Sequence, residues 1–297
     1  MRSGEQVAHL PSGIELCYET FGKASDPAVL LIMGLGGPMG WWDHELCAGL
    51  ADRGYFVIRY DNRDTGRSTK LREHRVRKTD VVRAVAGLTK APYSIADLAD
   101  DAVALLDHLD IKAANVAGVS MGGMIAQTIA INHPDRILSL TSIMSSTGRR
   151  TVGWQHPKLI PAMLGSSGSG REGYLTSSQQ GWKRISSPAF PTEPARMINR
   201  AIETYDRGWS GGGVMRHMLA VLTQPDRTAD LRRVTIPTSV IHGLSDPLVH
   251  SSGGRATARA IPGAELVEIA GMGHDIPVQL WPTIIDTIDR TAQRAHR

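Results

Sequence analysis

A serine between two glycines, Gly118-Val119-Ser120-Met121-Gly122, ends an apolar run and begins a helix-like one. ANVAGV (114–119) reads as a buried strand, and the residues from 121 to about 132 read as a helix. At a sharp strand-to-helix turn a serine hydroxyl stands above the sheet edge, and the next N–H, that of Met121, points into the same space. Gly118 and Gly122 suit that turn because a Cβ at either position would crowd it. A hydroxyl is a poor nucleophile until a base takes its proton, and the base needs a carboxylate to fix its tautomer. Such partners belong on loops after later strands, at the carboxyl edge of the sheet. Of eleven histidines, only His250, His274 and His296 follow the strand-like TSVIHG (238–243), and His274 sits directly after ELVEIA (265–270) in the pliable GMGH loop. Asp246 follows TSVIHGLS, one strand earlier. The other place for an acid, the segment SSTGRRTVGWQHPK after ILSLTSIM (137–144), holds no carboxylate. The expected constellation is Ser120 as nucleophile, His274 as base and Asp246 as acid. Leu35 N–H, in the glycine-rich turn after AVLLIM (28–33), is expected to join Met121 N–H in holding an oxyanion.

These residues need a scaffold that brings four loops to one edge. IELCYETF (14–21), AVLLIM (28–33) and YFVIRY (55–60) read as strands, and DHELCAGLADRG (43–54) as a helix closed by glycine. SIADLADDAVALLDHLD (94–110) reads as a helix opened by a Ser94/Asp97 capping box. After ANVAGV and its helix come ILSLTSIM, TSVIHG, a helix near 252–260, ELVEIA and a final helix from about 279. Strands alternating with helices predict an α/β fold, a doubly wound, mostly parallel sheet covered on both faces. The alternation breaks from about 146 to 230, where MLGSSGSGREG (163–173) and RGWSGGG (207–213) surround helix-like segments. A structureless loop of that length does not suit a compact domain. The expected organisation is therefore a core of 1–145 and 231–297 with a helical cap or lid over 146–230.

The 297 residues carry 33 Lys+Arg against 29 Asp+Glu, and the segment 70–83, KLREHRVRKTDVVR, matches the whole excess of +4 by itself. Its plain reading is a solvated face. Its sharper reading is peripheral contact with an anionic membrane surface. It has no interleaved aromatics and no reading module, so nucleic acid is not an expected partner. The N-terminal residues lack the apolar core of a signal peptide and no stretch is long enough to span a bilayer, which places the expectation in the cytoplasm. Cys17 and Cys47 are too few for a disulfide framework. His242, Asp246 and His250 recur at intervals of four, but Gly243 and Pro247 break the helix that would align them, so no metal site is expected. Five of the six tryptophans, Trp41, Trp42, Trp154, Trp182 and Trp209, fall in the oxyanion loop or the insertion, which suggests an apolar pocket for part of a substrate.

Taken together, Met33-Gly34-Leu35, GVSMG, SDP (245–247) and GMGH (271–274) resemble the α/β-hydrolase superfamily of serine esterases, across nearly the whole chain apart from the insertion. RYDNRDTGRST (59–69) is similar to that superfamily's D-x-R-x-x-G-x-S loop. Within it the chain looks most like the aclacinomycin methylesterase group and the mycobacterial Lip-type lipases and esterases. The resemblance implies hydrolysis of a small-molecule carboxylic ester through an acyl-enzyme, without a cofactor. One departure matters: Met33 stands where most relatives carry a histidine before the oxyanion glycine, so the loop must be supported in another way. The same triad could serve a thioesterase, lactonase, phospholipase or cofactor-free haloperoxidase, and a non-catalytic ligand receptor is the alternative from another class.

Overall fold

The computed structural model describes residues 2–159 and 170–295. Short apolar and β-branched runs form one sheet from β1 (Gln6–His9), β2 (Glu15–Phe21), β3 (Ala28–Ile32), β4 (Phe56–Tyr60), β5 (Ala114–Val119), β6 (Ile137–Ile143), β7 (Thr238–Gly243) and β8 (Glu265–Ile269). Their order is β1-β2-β4-β3-β5-β6-β7-β8. β1 and β2 are antiparallel to their neighbours, and every pair from β4 to β8 is parallel. Between the strands run α1 (His44–Ala51), α2 (Lys78–Val85), α3 (Ile95–His108), α4 (Met121–Asn132), α9 (Ser252–Ala260) and α10 (Trp281–Arg294). Between β6 and β7 lie α5 (Gly170–Ile185), α6 (Pro194–Asp206), α7 (Gly211–Thr223) and α8 (Thr228–Leu231).

Successive strand residues point to opposite faces, so a sheet covered on both sides needs apolar residues at every position. In β3, Leu30 and Ile32 join Leu98 and Leu105 of α3 and Ile125 and Ile129 of α4 on one face. Val29 and Leu31 join Leu46 and Leu50 of α1 and Ile284 and Ile288 of α10 on the other. α3 starts where expected: Ser94 Oγ accepts the Asp97 N–H at 3.2 Å and Asp97 Oδ2 accepts the Ser94 N–H at 2.7 Å. Two elements have patterns too weak to expect. β1 is the short, mostly exposed QVAH, held by backbone pairing to β2, and α2 begins inside the basic segment and runs past its end.

The expected doubly wound core is therefore the observed one, with helices in the insertion. Residues 163–169 of the first Gly/Ser-rich stretch, and His296, lie outside the described residues. The second stretch makes the turn between α6 and α7: Gly208 takes φ +95° and Ser210 Oγ accepts the Gly213 N–H at 3.1 Å. The basic segment divides. Lys70 turns inward, donating to Ser68 O at 3.0 Å, and desolvation lowers its pKa. Arg72, Arg75, Arg77, Lys78 and Arg83 are exposed. Among the described residues no helix is long and apolar enough to cross a membrane.

The D-x-R-x-x-G-x-S loop braces the core against the insertion. Asp61 accepts the N–H groups of Met39 at 2.7 Å and Arg67 at 2.9 Å, and pairs with Arg207 at 2.6 Å. Ser68 Oγ donates to Asp61 O at 2.6 Å. Buried Asp64 receives Arg216 of α7 through two bonds, at 2.7 and 2.6 Å, as well as Tyr93 OH at 2.7 Å and Leu71 N–H at 2.9 Å. Removing one partner of a buried pair strands the other charge. Arg216→Met is thus expected to lower unfolding free energy by about 3–5 kcal/mol, measured by urea titration followed by circular dichroism.

Candidate active site

The chain leaves β3 towards β4 on one side and leaves β5 towards β6 on the other, so the carboxyl ends of β3 and β5 flank a natural crevice. Ile32 pairs with Gly118 in register. The loop after β3 and the turn after β5 therefore emerge side by side. Ser120 holds φ +56°, ψ −117°, and its N–H donates to Ile143 O at 2.8 Å. A side-chain-bearing residue in such a conformation costs about 1–3 kcal/mol, sustained by the structure around it. The neighbouring glycines make the turn feasible. A Cβ on Gly118 would overlap Gly122 O, and a Cβ on Gly122 would overlap Ile32 O. A Cβ on Gly34 would come within 3.1 Å of Ser120 Cβ.

The loops after β7 and β8 supply the other two groups. A Cβ on Gly243 would overlap Met272 O, and Ser245 N–H donates to Met272 O at 3.0 Å, so the loops are in direct contact. Asp246 Oδ1 accepts the N–H groups of Leu248 and Val249 at 2.8 and 2.9 Å. Its Oδ2 faces His274 Nδ1 at 2.7 Å. That bond assigns the proton to Nδ1 and leaves Nε2 as the basic nitrogen. His274 N–H donates to Ile185 O of α5 at 2.7 Å, which fixes the loop from the insertion.

Ser120 and His274 line one cavity of about 840 Å³, whose wall also includes Leu35 and Met121. Met121 is the first residue of α4, and its N–H belongs to the helix's unpaired first turn. Trp41, Trp154, Trp182 and Trp209 are in the wall as well. Trp41 and Trp182 meet edge to face at 5.0 Å, and Trp154 stacks on His250 at 4.3 Å. Trp42 is a correction to the sequence reading. It is fully buried in the core of the α1/α10 face, outside the cavity, and its carbonyl accepts from Arg59. Trp41 ends a short 3-10 turn and Trp42 leaves it in an extended conformation, so the two side chains diverge, and of the two only Trp41 reaches the cavity.

Three contributors were given no role by the sequence reading. His242 is buried behind Asp246: its Nε2–H donates to Val249 O at 2.8 Å, its Nε2 lies 3.6 Å from Asp246 Oδ2, and desolvation lowers its pKa. Asp275, next to His274, lines the cavity; desolvation raises its pKa although Oδ1 accepts the Ser187 N–H at 3.0 Å. The third props the loop after β3 that Met33 opens. His217 of α7 is fully buried, and its pKa falls to about 4 chiefly through desolvation. The neutral ring accepts the Gly36 N–H on Nδ1 at 3.1 Å and donates from Nε2 to Arg63 O at 2.9 Å. Asn62 Nδ2 adds a bond to Met33 O at 3.0 Å. Loss of a prop one residue from Leu35 would misplace the N–H expected to hold an oxyanion. His217→Ala is therefore expected to lower kcat by roughly 10- to 100-fold with a smaller change in KM, measured by steady-state ester hydrolysis.

The sequence model of the family described as alpha/beta hydrolase fold matches residues 27–279. The chain is 31% identical to the rhodomycin D methylesterase DauP of Streptomyces sp. strain C5, over 89% of this chain and 90% of that protein. It is 29% identical to the rhodomycin D methylesterase DnrP of Streptomyces peucetius, again over 89% and 90%. Among solved structures, the enol-lactonase from Burkholderia xenovorans LB400 superposes with a TM-score of 0.76 at 23% identity, over 97% of this chain and 100% of that one.

Proposed function

The chain belongs to the α/β-hydrolase family and is a hydrolase acting on ester bonds, and from that premise we propose that it cleaves a small-molecule carboxylic ester through an acyl-enzyme on Ser120. The observation that carries this reading is the 2.7 Å His274–Asp246 bond in a cavity that His274 shares with Ser120. Ser120 Oγ attacks the ester carbonyl while His274 Nε2 takes its proton. The N–H groups of Leu35 and Met121 hold the oxyanion of the tetrahedral intermediate. The imidazolium, stabilised by Asp246, protonates the leaving alkoxide, and the alcohol departs. A water then attacks the acyl-serine, giving its proton to His274, and the acid is released with Ser120 restored.

Residues 146–230 form the cap in this reading, contributing Trp154, Trp182 and Trp209 to an apolar pocket for the acyl or alcohol portion. The two Streptomyces relatives are methylesterases by name, which makes methyl esters the first substrates to offer. The test is stoichiometric labelling by an activated phosphonate, followed by peptide mass spectrometry, beside hydrolysis of methyl and p-nitrophenyl esters. A single adduct on Ser120 with loss of turnover is expected. Turnover that survives full labelling of Ser120 would refute the assignment.

A further inference from the structure

Arg200, on α6, lines the same cavity as Ser120 and His274 and differs from the other inward-facing arginines. Arg59 is paired with Glu19 at 2.6 Å, Arg63 with Asp101 at 2.6 Å, Arg207 with Asp61 at 2.6 Å and Arg216 with Asp64 at 2.6 Å. Arg227 donates to Ser146 O at 3.0 Å and Gln224 Oε1 at 2.6 Å. Among the described residues, no carboxylate or carbonyl takes a hydrogen bond or ion pair from the Arg200 guanidinium. Its contact is the face of Trp182, 5.5 Å away, and desolvation lowers its pKa. Arg200 is half-buried, and its guanidinium presents five N–H donors in a rigid fork, a geometry suited to a planar acceptor entering the cavity. Asp275 shares this wall, and its charge and those of Asp43 and Glu203 attract the guanidinium from a distance, but none of the three meets it in a direct ion pair, and Asp275 Oδ1 is taken by Ser187. The charged groups of the cavity wall are otherwise basic, Arg149 and Arg150 standing at its exposed rim.

We infer that Arg200 is the anchor of a carboxylate subsite, so that the preferred substrate is an ester carrying a second, ionised acid group. This rests on the ester-hydrolase reading of the cavity. A carboxylate matches the guanidinium fork bidentately, and Trp182 with its edge-to-face partner Trp41 shields the pair from water. Electropositive lining also raises the local concentration of an anionic ester. No backbone pattern could have marked this residue, since it is one of two arginines on an amphipathic helix.

The experiment compares monomethyl adipate with methyl hexanoate, which share the ester and chain and differ in a terminal carboxylate, by methanol release at pH 8. Wild-type kcat/KM is expected to favour the anionic ester by roughly 10- to 100-fold. In Arg200→Met that ratio is expected to fall at least about tenfold, with Arg200→Lys between the two because a point charge keeps attraction without the fork. A ratio unchanged in Arg200→Met overturns the subsite while leaving ester hydrolysis standing. A second arm reads binding without turnover, as quenching of indole fluorescence by monomethyl adipate in Ser120→Ala and in Ser120→Ala/Arg200→Met. Saturable quenching lost with Arg200 supports the subsite even if Ser120 is not the nucleophile. Equal quenching in both proteins overturns it.

Discussion

Ser120→Ala is expected to lower kcat by about 10⁴- to 10⁶-fold, with the folded state and KM little changed. Alanine keeps the Cβ at φ +56°, so the turn, the Ser120 N–H bond to Ile143 O and the packing of Gly34 against the elbow all remain. What disappears is the atom proposed to form the acyl-enzyme. A residue of catalysis should survive, because Leu35 and Met121 N–H groups can still polarise the carbonyl for attack by water. The burst of p-nitrophenol in pre-steady-state assays should vanish with the hydroxyl, while the thermal midpoint stays near the wild-type value. A variant that retains a burst of full amplitude would move the nucleophile elsewhere.

Asp246→Asn should reduce kcat by about 10⁴-fold for a different reason. The Leu248 and Val249 N–H groups hold one oxygen of the side chain, so an asparagine keeps its carbonyl there and turns its NH₂ towards His274. That NH₂ donates to Nδ1, which moves the ring proton to Nε2 and removes the base. Geometry is preserved while the tautomer is wrong. The buried His242 cannot replace the acid, since its Nε2–H is committed to Val249 O. Single-turnover acylation isolates the effect, and an acylation rate within tenfold of wild type would argue against Asp246 as the orienting carboxylate.

The core was legible because its strands are short apolar runs and its helices begin with capping chemistry. Ser94 with Asp97 is the plainest case, and Gly118 and Gly122 announced a turn too tight for a Cβ. The cavity was only half legible. Tryptophans in the oxyanion loop and the insertion suggested an apolar wall, yet Trp41 and Trp42 carry the same local signal and face opposite ways. His242 meets Asp246 and Val249 only four and seven residues on, but His217 acts through contacts across long stretches of chain, such as the 181 residues between Gly36 and His217. No periodicity or motif encodes such pairs. β1 escaped notice because backbone pairing, rather than side-chain pattern, holds it.

The helix α7 has two jobs on two faces. Met218, Val221 and Leu222 line the cavity, while Arg216 and His217 grip Asp64, Gly36 and Arg63 beneath the oxyanion loop. An ill-fitting molecule that pushes on the first face therefore loosens the second. On the proposed reading, discrimination is expected to fall in turnover more than in affinity, much as a lock may admit the wrong key and refuse to turn.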